Sequence, residues 1–123
     1  MSFDPIMMIA RICHEANKAY CDSMGDYSQL PWLKAPEWQV ASIVNGVKFH
    51  LENPSVTPED SHNSWMKEKL RDGWVYGAFK NSATKTHPNI RPYNELSEEQ
   101  KIKDSIFKSI VDSMRPLVKY LSE

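Results

Sequence analysis

Cysteine is nearly absent from this chain. Cys13 and Cys21 are the only two, and on one helix their eight-residue separation is about 12 Å by helical rise, too far for a disulfide. Both are expected as free thiols. Long apolar runs are missing too. No stretch nears the roughly 18 residues that a membrane span needs, and the first residues lack a charged segment followed by an apolar block. The expectation is a cytoplasmic protein without membrane association. Charge of one sign is not in excess: the formal net charge of −1 argues against general nucleic-acid binding, so any anion site must be local. Cys, His, Asp and Glu nowhere fall into a CxxC or HExxH spacing, and neither a metal site nor a cofactor is expected.

What is present is globular. With 123 residues, 41% apolar and 25% charged, the chain is long enough for one domain with a core of its own. Asp4-Pro5 reads as an N-cap followed by proline at the first helical position, and Phe3 with Met8 can staple that start. Ile9, Cys13, Ala16 and Tyr20 then recur at helical spacing, widened by Ile12 and Ala19, and the helix ends near Gly25. His14 and Glu15 are placed on its solvent side. Residues 26–35 form a connector whose Tyr27, Leu30, Trp32 and Leu33 make it too apolar for a free linker, so it should lie against the body.

Pro36 opens a second helix with a core stripe of Val40, Ile43, Val44, Val47 and Leu51, stopped by Asn53-Pro54. Trp38 is assigned to sealing the core rather than facing a ligand, and Gly46 to close packing. Thr57-Pro58-Glu59-Asp60 is a strong start for a third helix, and Gly73 supplies its left-handed cap. Trp74-Val75-Tyr76 then alternates as a short strand. Ser97-Glu98-Glu99-Gln100 is a capping box for a fourth helix with the stripe Ile102, Ile106, Ile110 and Met114, flanked by Phe107 and Val111. Pro116 should kink or end it. The expected fold is mainly α, one domain over 1–123, with about four helices packed around a short hairpin-like segment and a long basic loop.

The stretch 61–93 carries the chemistry. His62, Trp65 and Lys69 fall on neighbouring faces of the third helix. Trp74 and Tyr76 follow, and from residue 80 to 93 the chain holds Lys80, Lys85, His87 and Arg91 without a carboxylate. Aromatic faces stack on bases while ammonium and guanidinium groups meet phosphates, so this combination suits a flat anionic ligand. The alternative is that Trp65, Trp74 and Tyr76 are core residues and the lysines are solvated.

The pattern HxxWxxxKxxxGWxYG, followed by KxHP and PYxEL, resembles the RyR repeat of ryanodine receptors. Its residues here are His62, Trp65, Lys69, Gly73, Trp74, Tyr76 and Gly77, then Lys85, His87, Pro88, Pro92, Tyr93 and Leu96, within about 55–112. The upstream helical extension over 4–54, with PEWQ at Pro36 to Gln39 and NGVKFHLENP at Asn45 to Pro54, is similar to stand-alone bacterial and phage members. The resemblance implies a non-catalytic domain whose paired repeats can hold adenine nucleotides, with Trp65 as a stacking wall. It also implies that a single-repeat chain restores the pair by homodimerisation. Between the YG and HP elements this chain departs from the channel repeats: Lys80-Asn81-Ser82-Ala83-Thr84-Lys85 is less acidic, which favours an anion and leaves no ground for transferring a phosphorylation role.

The expected function is therefore binding without turnover of a small nucleotide-derived ligand: an adenine nucleotide, an ADP-ribose derivative or a cyclic nucleotide signal. Trp65 would stack the base, Lys69, Lys80, Lys85 and Arg91 would meet phosphates, and His62, Tyr76 and His87 would orient by hydrogen bonds, with Trp74 in the aromatic wall. In a phage or bacterium this could sense a signal or sequester an immune one. A structural or protein-interaction module is the alternative. An enzyme is not expected, because no activated nucleophile, metal cluster or phosphate loop accompanies His62, His87 and Glu95.

Overall fold

The structure, a computed structural model, describes residues 4–122, with side chains as far as 118. Four helices are present: α1 (Pro5–Ser23), α2 (Glu37–Glu52), α3 (Pro58–Arg71) and α4 (Glu98–Ser122). Two short strands, β1 (Val75–Tyr76) and β2 (Thr86–His87), lie between α3 and α4. The fold is mainly α, as the helical periodicities indicate.

The start signals act locally as expected. Asp4 accepts from the Ile6 and Met7 amides, while Phe3, its expected stapling residue, lies outside the described residues. Thr57 and Asp60 form a reciprocal box, each side chain accepting the other's backbone N–H. At the head of α4 only half of the box forms: Ser97 Oγ accepts the Gln100 amide, but the Gln100 side chain turns elsewhere. Pro116 does not end α4, which continues through it to Ser122; a neighbouring turn tolerates the missing donor when packing holds the helix.

Ile9, Ala10, Cys13, Val47 and Val111 form the buried core, with Ile43, Val44, Leu51, Phe107, Ile110 and Met114 packed on it. Helix α1 lies against α4 and α2, and α3 against α4 and α2. Gly46 permits the α2–α4 approach: a Cβ there would stand 3.1 Å from Phe107 Cζ. Polar ties reinforce the same contacts, with His50 of α2 against Ser61 Oγ of α3 at 2.8 Å and Arg115 of α4 donating to the His50 carbonyl.

Three placements differ from expectation. His14 is buried, donating through Nε2 to the Leu30 carbonyl at 2.6 Å and lying against Trp32, because the connector folds back across α1. That connector docks through Trp32, whereas Tyr27 and Leu33 are exposed. Ile12 and Ala19 lie on the exposed side of α1 instead of widening its stripe.

Strands β1 and β2 pair in parallel, Val75 with Thr86 and Tyr76 with His87. An antiparallel bridge between Asn81 and Thr86 closes the tight turn inside this crossover. Gly77 is required by that closeness, since a Cβ on it would stand 2.6 Å from Thr86 Cβ.

Candidate functional site

Helix α3 ends in a Schellman turn. Gly73 takes φ +90°, the Trp74 amide donates back to the Lys69 carbonyl at 2.9 Å and the Gly73 amide to Leu70. This hydrogen bond sets the Trp74 indole beside the Lys69 side chain. Trp38, near the start of α2, completes the arrangement: its ring centroid lies 5.7 Å from that of Trp74, and the Lys69 ammonium sits 5.3 Å from the Trp38 ring and 5.4 Å from the Trp74 ring. The Lys80 ammonium covers Trp38 at 5.3 Å. Trp38 is therefore not a core residue. Helix α2 turns its one indole toward α3, where it forms a wall of an open cleft of about 250 Å³ between α1, α2, α3 and α4.

Six of the nine residues singled out from the sequence line this cleft: His62, Trp65, Lys69, Trp74, Lys80 and His87. Their rings form a continuous line. His62 is stacked on Trp65 at 5.7 Å, Trp65 meets the edge of His87 at 5.0 Å, and His87 meets Trp74 at 6.3 Å. Tyr76, Lys85 and Arg91 lie elsewhere. Arg91 donates to the Tyr76 hydroxyl and stacks on its ring, an exposed pair beside β1. The Lys85 ammonium donates to the Asp72 carbonyl at 2.8 Å, capping α3 from a left-handed backbone position of φ 55°. Its charge answers the helix dipole.

The cationic end of the cleft is formed by Lys69, Lys80 and Lys103. None of them makes an ion pair or hydrogen bond among the described residues. Lys69 is 5% exposed, and burial pushes its pKa down against the pull of Glu68 and Asp72. Lys80 is shifted down as well, first by desolvation of its ammonium and then by Lys69 and Lys103, although the residue as a whole is exposed. Its ammonium lies over the Trp38 face, which covers that tip. Glu68 at the cleft edge is engaged by the Asn45 amide at 3.5 Å.

His87 has a defined tautomer. The Asn89 backbone N–H donates to Nδ1 at 3.0 Å, so in the neutral ring the proton sits on Nε2. Neutrality is favoured because burial, then Lys80, Lys69 and His62, push its pKa down to about 4. His62 donates through Nε2 to the Arg91 carbonyl at 2.7 Å, which ties α3 to the basic loop.

Gln100, Lys103 and Asp104 of α4 also line the cleft and had no sequence signal of their own. Gln100 reads as a helix cap, and the other two lie on the polar side of an amphipathic stripe. Among the described residues no group of three or more His, Cys, Asp or Glu side chains could hold a metal, and no helix is long and apolar enough to cross a membrane.

The arrangement offers ammonium and N–H donors with aromatic faces between them. A family model described as RyR domain matches residues 52–120, more than half of the chain and all of the cleft contributed by α3, the strands and α4.

Proposed function

The chain belongs to the RyR domain family, and from that premise we propose that it is a non-catalytic binding module for a small nucleotide-derived anion such as an adenine nucleotide, an ADP-ribose derivative or a cyclic nucleotide signal. One observation carries this. The Lys69 ammonium is buried at the edge of a cleft with two indole faces and no carboxylate within ion-pair distance among the described residues. Burying an ammonium is costly unless it is paired, and an incoming phosphate supplies the pairing that the chain lacks. Lys80 and Lys103 add to the same field, and Trp65 offers a partly open face for a base.

The two ends of such a ligand are met by different parts of the chain. The phosphate contacts would be made by Lys69, Lys80 and the neutral His87 Nε2–H. The base would lie along Trp65. Neither contact requires a bond to break, and the module would sense or sequester its ligand in the cytoplasm of a bacterium or a phage-infected cell. Exposed Phe79, at 83%, with exposed Val75 and Tyr76 three to four residues before it in the chain, favours a second role as a contact surface, for homodimerisation or for a protein partner.

A thermal-shift panel of adenine nucleotides, ADP-ribose compounds and cyclic oligonucleotides at matched ionic strength tests the proposal. Ligand at a hundredfold excess over Kd stabilises the folded state by about 2.7 kcal/mol, several degrees in the melt. A selective shift for one class supports a nucleotide module. A flat panel refutes it and leaves the contact surface as the working function.

A further inference from the structure

The cleft is not uniform. Lys69, Lys80 and Lys103 present only donors, whereas Asp104 of α4 presents an acceptor. Asn89 Nδ2 donates to Gln100 Oε1 at 2.9 Å, and Gln100 Nε2 donates to Asp104 Oδ1 at 3.1 Å. This relay fixes the Gln100 amide, since its oxygen must face Asn89 and its NH2 must face Asp104. It also explains why Gln100 leaves the capping box half formed. The second carboxyl oxygen, Asp104 Oδ2, is buried and has no donor. Among the described residues it is the only such orphaned side-chain atom on a residue that lines the cleft.

A buried acceptor without a donor is an incomplete site, because its desolvation is not compensated by any hydrogen bond. Glu68, the other carboxylate on the cleft, is already engaged by Asn45. Asp104 lines the cleft from α4, where burial raises its pKa against the opposing pull of the Gln100 hydrogen bond, His62 and Lys103. A ligand without ribose or base, such as inorganic pyrophosphate, can satisfy the lysines but lacks the hydroxyl and amine donors that a nucleoside would offer Asp104.

We propose that Asp104, positioned by Gln100 and Asn89, is a specificity-determining residue that accepts a hydrogen bond from a donor on the neutral part of the ligand, a ribose hydroxyl or the exocyclic amine of a purine, while the lysines hold the phosphate. The proposal rests on the nucleotide function above and names which half of the nucleotide the chain selects. Asp104→Asn is the informative change, since it keeps the shape and replaces an acceptor oxygen with an NH2 that opposes a ligand donor.

Isothermal titration of wild type and Asp104→Asn with ADP, 2′-deoxy-ADP, IDP and pyrophosphate tests it. Asp104→Asn should weaken ADP by about 10- to 100-fold and leave pyrophosphate within about twofold. On wild type, 2′-deoxy-ADP should be the weaker analogue if a ribose hydroxyl is read, and IDP if the amine is. That same analogue should lose nothing further in Asp104→Asn. Gln100→Leu, which removes the donor to Asp104 together with the acceptor for Asn89, should blunt the same discrimination and decides the matter if Asp104→Asn does not fold. An ADP affinity unchanged in the variants, an equal loss for pyrophosphate, or no discrimination by wild type overturns this assignment alone. Failure of wild type to bind ADP at all overturns the nucleotide function and this assignment with it.

Discussion

Replacing Lys69 by methionine separates a binding role from a structural one. Methionine keeps the unbranched stem that fills the space beside Trp38 and Trp74 and removes only the ammonium. Two terms then oppose each other in the free protein. The cation–π contacts at 5.3 and 5.4 Å are lost, each worth about 0.5–2 kcal/mol, while the desolvation that pushes the Lys69 pKa down is relieved. Their near cancellation predicts a stability change within about 1 kcal/mol, or about 5 °C in Tm. In the complex nothing compensates. A charge-assisted hydrogen bond to phosphate contributes about 1.5–3 kcal/mol, so the Kd for ADP should rise by about 10- to 150-fold. Thermal melts and calorimetric titration of the same preparation read both quantities. A destabilisation above about 3 kcal/mol, or an unchanged Kd, would refute the assignment of Lys69 to the anion.

Trp65→Ala should weaken ADP by about 1–3 kcal/mol, as for loss of a stacking partner, with helical circular dichroism unchanged; collapse of the fold would instead make Trp65 a core residue. Gly77→Ala should destabilise by about 1–3 kcal/mol in urea melts, since its Cβ would stand 2.6 Å from Thr86 Cβ and force β1 from β2; a wild-type midpoint would contradict this contact. The depressed pKa of His87, about 4 against an ordinary 6.5, makes the unfolded chain take up a proton first as pH falls. Stability from this group is complete above about pH 6.5 and is lost as pH falls toward about 4, by about 1–2 kcal/mol once solvent screening of the partly exposed ring is allowed for. Urea melts of wild type and His87→Gln across that window should differ in slope, and equal slopes would exclude the burial of a neutral imidazole.

The helices were legible because a cap, an apolar stripe or both signal each of them. Asp4-Pro5, Thr57-Pro58 and Gly73 mark ends through local hydrogen bonds, which depend on residues close in sequence. Val47 and Val111 follow from periodicity. Where contacts are non-local the sequence was mute. His14 looks like a surface residue until Leu30, sixteen positions on, returns to accept its proton. Trp38 was placed in the core because a tryptophan on an apolar helix usually packs there; only the tertiary positions of α3 and of the segment between β1 and β2 bring two ammonium groups over its face.

The candidate site divides along the same line. His62, Trp65, Lys69 and Trp74 lie within one helix and its cap, so their convergence could be read from spacing. Lys85 and Arg91 share the composition of the basic loop but not its destination, since one caps α3 and the other stacks on Tyr76. Gln100 and Asp104 are one helical turn apart and look like an ordinary exposed pair. What marks them is Asn89, whose amide reaches Gln100 from the loop, and that contact exists only in the fold.

The central claim is that the cleft takes a nucleotide-derived anion. Three of the four tryptophans, Trp38, Trp65 and Trp74, line it, so occupancy can be followed through their own fluorescence. ADP, ADP-ribose and a cyclic adenosine dinucleotide would be titrated into wild type and Lys69→Met at matched ionic strength. Saturable quenching of wild type by at least one of the three is expected, with the midpoint moved about 10- to 150-fold higher in Lys69→Met. No saturable change with any of them, or equal midpoints in the two proteins, would contradict it.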